Sequence, residues 1–176
     1  MRLVVFAATI AALGATGAHA STGESLGSDV AIALPLIAGG ISVYKDDWVG
    51  TGQLILDTGL TVGTAYGLKH IIREQRPDKS DFQSMPSDTS ALAFAPAQYL
   101  WDRYGWQYGL PAYAAATFVG WSRVDADKHH WYDVTASWGL ALGFSKLITT
   151  RYHARGLNYG VTPTNGGAYA SLEYKF

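Results

Sequence analysis

The chain has 176 residues, a formal net charge of -1 from 13 Lys and Arg against 14 Asp and Glu, and no cysteine. That length fits one domain with a core of ordinary size. The near-neutral balance excludes a global attraction to nucleic acid, and the missing cysteines exclude disulfide frameworks, thiol catalysis and thiolate metal sites.

The first stretch, MRLVVFAATIAALGATGAHA, carries Arg2, an apolar run from Leu3 to about Leu13, and Ala18-His19-Ala20 as a small-x-small pattern. It reads as a secretory signal peptide over residues 1–20, which places the mature chain in the periplasm or cell envelope. A helical domain is expected over 21–156, with helices near 28–44, 47–75, 88–103, 107–121 and 129–150. Their apolar segments are mostly shorter than the roughly 20 residues that cross a bilayer, or are diluted by Gly, Thr, Ser and Asp57. A mean hydropathy of +0.04 argues against a polytopic membrane protein and favours a periplasmic helical domain associated with the membrane or free of it, with a multi-span protein as the alternative. The tail changes period: LNYGVTP and AYASLEYKF flank TNGG, the signature of a β-hairpin over 157–176.

Three clusters could carry chemistry. In KHIIREQRP, Lys69, Arg73 and Arg76 recur at helical spacing and share a face, with Pro77 as the stop. In MPSDTSALAF, Ser87, Asp88 or Thr89 caps a helix whose free N–H groups also suit an anion. In SRVDADKHHWYD, His129 and Asp133 are four apart and would lie on one helix face, where the carboxylate fixes the imidazole tautomer. Asp125, Asp127 and Lys128 read as a solvated spacer.

These clusters together resemble the type 2 phosphatidic acid phosphatase and vanadium haloperoxidase superfamily. Its motifs run Lys, six residues, Arg-Pro; then Pro-Ser-Gly-His; then Ser-Arg, five residues, His, three residues, Asp. Lys69, Arg76 and Pro77 fit the first, and Ser122, Arg123, His129 and Asp133 fit the third without a gap, over a region of roughly Ile55 to Leu147. The resemblance implies an all-α helical bundle of that type, here with the small C-terminal β-hairpin. It further implies a metal-independent, cofactor-free phosphatase acting on phosphomonoesters or lipid pyrophosphates. Lys69, Arg76, Ser87 and Arg123 would bind phosphate, His129 would form a phosphohistidine, and Asp133 would orient it. The implied partner is a phosphorylated small molecule or lipid headgroup, not nucleic acid.

The second motif departs from the family: Pro86-Ser87-Asp88-Thr89 stands where Pro-Ser-Gly-His is expected. The histidine that protonates the leaving group becomes Thr89, and general acid catalysis is worth roughly 10² to 10⁴ in rate. Asp88 could replace it if a bound phosphate raised its pKa. The alternative is a catalytically weakened envelope protein that binds phosphate or phospholipid.

Overall fold

In the computed structural model, which describes residues 19–153, 156–164 and 167–175, five helices precede one hairpin. The helices are α1 (His19–Tyr44), α2 (Trp48–Ile72), α3 (Asp88–Tyr104), α4 (Trp106–Asp125) and α5 (Trp131–Ile148). Strand β1 (Gly156–Thr164) pairs antiparallel with β2 (Gly167–Lys175), in a register running from Gly156 opposite Lys175 to Thr164 opposite Gly167. The all-α bundle with a terminal hairpin is therefore the observed fold. The expected signal peptide lies, apart from His19 and Ala20, outside the described residues.

Helix α3 occupies the centre because its sequence leaves no polar face: every residue from Ala93 to Leu100 is buried. It packs against the four other helices. Ala31, Leu34 and Ala38 of α1, Leu54 of α2, Ala112, Ala116 and Val119 of α4, and Val134 and Ala141 of α5 complete the core. Small residues let the axes approach. A Cβ on Gly109 would stand 2.6 Å from Trp101, and one on Gly120 would stand 2.6 Å from Val134.

Four boundaries differ from the sequence expectation. Helix α1 starts well before residue 28, because Gly27 packs on Ser122 of α4 so closely that a Cβ would lie 1.9 Å from its Oγ. That contact overrides the poor helix propensity of STGESLGS. Helix α2 stops at Ile72, where Arg73 turns left-handed at φ 49°, so Lys69, Arg73 and Arg76 do not form one continuous helix face. Helix α4 runs on to Asp125, placing Ser122 and Arg123 in its last turn instead of a loop. Helix α5 starts only at Trp131, which leaves His129 in the connection before it.

The bundle's far end is tied by a buried ion pair. Arg103, at the end of α3, donates from Nε to Oδ2 of Asp47 at 2.7 Å and from Nη2 to Oδ1 at 2.5 Å. It also reaches the Thr150 carbonyl at 2.6 Å, while the Tyr104 hydroxyl donates to Asp47 at 2.8 Å. Asp47 in turn caps α2 by accepting from the Gly50 N–H at 2.9 Å.

Candidate active site

At the opposite end, the start of α3, the end of α4 and the start of α5 converge. His129 is buried, and its Nδ1 lies 2.7 Å from the carbonyl oxygen of Ser84. A carbonyl only accepts, so Nδ1 carries the proton and Nε2 keeps the lone pair a nucleophile needs. Asp133 Oδ2 is 3.5 Å from the same Nδ1. The carboxylate's direct bonds go elsewhere, to the Ser84 hydroxyl at 2.5 Å and the His130 N–H at 2.8 Å. The second bond is the return half of a capping box, with Asp133 at N3 of α5. His129 and Asp133 thus do not share a helix face. The histidine sits before the helix, and its tautomer is fixed by a loop carbonyl with the carboxylate alongside.

The three expected cations are present, and each is already paired. Lys69 Nζ donates to Asp88 at 2.8 Å, Arg76 Nε to Asp81 at 2.8 Å, and Arg123 reaches Glu24 of α1 through both its backbone carbonyl and, at 3.6 Å, its carboxylate. Lys69 and Arg123 are buried and Arg76 is partly exposed. Burying cations is tolerated when each keeps an ionic partner. Arg123 Nε is buried and has no hydrogen-bond partner among the described residues.

Ser87 caps α3 by accepting from the Ser90 N–H at 3.3 Å, and it is fully buried. Its hydroxyl is thereby engaged, and the N–H groups that helix geometry leaves free are those of Asp88 and Thr89. Asp88 does not have the raised pKa that proton donation would require. Burial pushes its carboxyl up, but the hydrogen bond and charge of Lys69 outweigh this and hold it below the usual carboxylate value. Before any ligand binds, Asp88 is an ionised partner for Lys69 and not an acid.

Sequence reasoning missed Ser84, Glu24 and Asp81, the groups that hold His129, Arg123 and Arg76. Glu24 lies 99 residues from Arg123, and no local pattern links them. The spacer also does more than solvate: Lys128 Nζ donates to Asp78 at 2.8 Å and the Asp78 N–H to the Asp127 carbonyl at 3.1 Å. These bonds pin the 77–86 loop against the 125–130 turn, and with them the Ser84 carbonyl against His129.

The family model described as the PAP2 superfamily matches residues 51–157. The lipid A 4'-phosphatase of Helicobacter pylori is 35% identical over 140 residues, covering 73% of this chain and 70% of that protein. No solved structure matches the chain. A match over more than half of the chain, joined to that relative, makes this protein a member of the PAP2 superfamily and a phosphoric ester hydrolase.

Proposed function

We propose that the enzyme removes phosphate from a lipid-borne headgroup, without a metal, by in-line attack of His129 Nε2 on phosphorus. The observation that carries this reading is the Ser84 carbonyl 2.7 Å from His129 Nδ1, which leaves Nε2 its lone pair. As the Nε2–P bond forms, the ester P–O bond breaks and the leaving oxygen takes a proton from water. A second water then attacks phosphorus, the N–P bond breaks, and inorganic phosphate leaves. Lys69, Arg76 and Arg123 offset the charge on the equatorial oxygens, with the Asp88 and Thr89 amides beside them. Thr89 can donate a hydrogen bond but not a proton, so substrates with good leaving groups are favoured.

The surface supports a membrane setting. All six tryptophans are exposed. Between Trp48 and Tyr66 on α2, Trp106 and Trp121 on α4, and Val30 and Tyr44 on α1, no exposed residue is charged. At 1.5 Å per residue those α2 and α4 stretches measure about 27 and 22 Å, close to the ~30 Å of a hydrocarbon core. Among the described residues α1 alone, over Thr22–Tyr44, is long and apolar enough by composition to cross a membrane. The other helices turn polar groups inward, including Asp57, Thr61, Gln98, Ser137 and Ser145. The site lies beyond this band, where phosphate meets water. A cleft of about 230 Å³ between α1, α2 and α3 runs from Asp88 and Thr89 past Ala31, Ile32, Val62 and Leu92, which suits an acyl chain next to the phosphate. The identity to a lipid A 4'-phosphatase supports the same substrate class.

Phosphate release from an aryl phosphate in the presence of a chelator tests the mechanism, with His129→Ala and Thr89→His alongside. His129→Ala should lose at least 10³-fold in kcat, and Thr89→His should gain most on poor leaving groups, by about 10²-fold. Activity that survives His129→Ala would refute the mechanism.

A further inference from the structure

We propose that a cationic cavity beside the clamp, centred on Arg73, binds a second phosphoryl group of the same substrate. This rests on the phosphatase reading and narrows it to diphosphates or bisphosphorylated headgroups. The cavity holds about 370 Å³ between the last turn of α2 and the 77–86 loop, and is lined by Lys69, His70, Arg73, Asp81, Phe82 and Gln83. That volume is within the usual range for small-molecule sites, roughly 300 to 1,000 Å³. Lys69 is shared with the clamp, so a group bound here is one side chain away from the phosphorus under attack.

The charges in the cavity do not cancel. Asp81 is spent on Arg76 Nε and on the Gln83 N–H, both at 2.8 Å, and Lys69 is held by Asp88. Arg73 makes no side-chain hydrogen bond or ion pair among the described residues, and its guanidinium is built to take two phosphate oxygens at once. His70 has its Nδ1 at 2.8 Å from the Tyr66 carbonyl, which leaves Nε2 for a ligand. Arg73 also occupies a left-handed helix terminus, φ 49° and ψ 46°, where glycine is the easier residue. The chain has an arginine there, and it lines the same cavity as Lys69. Phe82, exposed in an otherwise polar loop, adds a flat apolar face to the cavity wall.

Arg73→Gly tests the assignment, because glycine suits the left-handed backbone and removes only the side chain. Calorimetric binding of inorganic pyrophosphate and inorganic phosphate to the full-length protein needs no turnover. Pyrophosphate affinity should fall at least tenfold in Arg73→Gly, with phosphate affinity within twofold of wild type and Arg73→Lys in between. The kinetic arms compare an alkyl diphosphate with the alkyl monophosphate, and a hexose bisphosphate with the hexose monophosphate. Whichever doubly phosphorylated substrate loses kcat/KM selectively identifies the source of the second group. Equal losses on phosphate and pyrophosphate, or none on either, would overturn the subsite. A wild type that binds both anions but releases phosphate from no ester would instead refute the phosphatase reading and leave the binding result to decide the subsite.

Discussion

Asp88 stands where the family motif has glycine, and in the absence of substrate its carboxylate occupies the Lys69 ammonium that a phosphate would use. Its folded-state pKa is depressed, so the pair contributes stability above the unfolded carboxyl value of about 4 and loses it as pH falls through the lower folded value. The pair therefore persists at neutral pH, and a phosphate that binds Lys69 as proposed would have to displace it. Asp88→Asn should bind inorganic phosphate about three- to tenfold more tightly at pH 7 than wild type, and the two proteins should converge as acid protonates Asp88. Inhibition of aryl phosphate hydrolysis by phosphate, measured across pH for both, reads this directly, since phosphate's own titration is common to the pair. A constant ratio would show that Asp88 does not compete for Lys69.

At the scale of elements, the position of α1 decides how Arg123 is held. Gly27 meets Ser122 where no Cβ fits, whereas a Cβ on Gly63 of α2 meets nothing within 4 Å. Gly27→Ala should cost about 1 to 3 kcal/mol of stability and lower activity by displacing Arg123. Gly63→Ala should gain about 0.5 to 1 kcal/mol with activity unchanged, because a helix-interior glycine is the only thing removed. Thermal unfolding of both variants in detergent checks the contrast. The same elements show what the sequence makes legible. The Lys69–Arg76 and Arg123–His129–Asp133 spacings are legible because they are intervals in the residue order itself. The reach of α1 to Glu24 and the late start of α5 depend on packing and on the His130–Asp133 cap, which residue spacing alone does not encode. The Ser84 carbonyl is invisible for a plainer reason, since every residue has one.

For the molecule as a whole, mean hydropathy hides a partly inverted distribution, with hydroxyls and Asp57 inside and Ile, Leu and Trp side chains exposed. An average cannot register which side a residue faces. Under the proposed membrane setting, most of the intrinsic fluorescence would come from indoles near lipid. In vesicles containing brominated acyl chains, emission should fall by more than half relative to unbrominated vesicles, and unchanged emission would place the bundle outside the bilayer.

The pairing of all three clamp cations with the chain's own acids bears on how a turnover ends. Glu24, Asp81 and Asp88 come from a helix, a loop and a second helix, and each can return to its cation once the phosphoryl bond is broken. Inorganic phosphate must then compete with an internal anion that never diffuses away. Under the proposed mechanism, the contacts that weaken substrate binding would also help to clear the product, exchanging affinity for freedom from product inhibition.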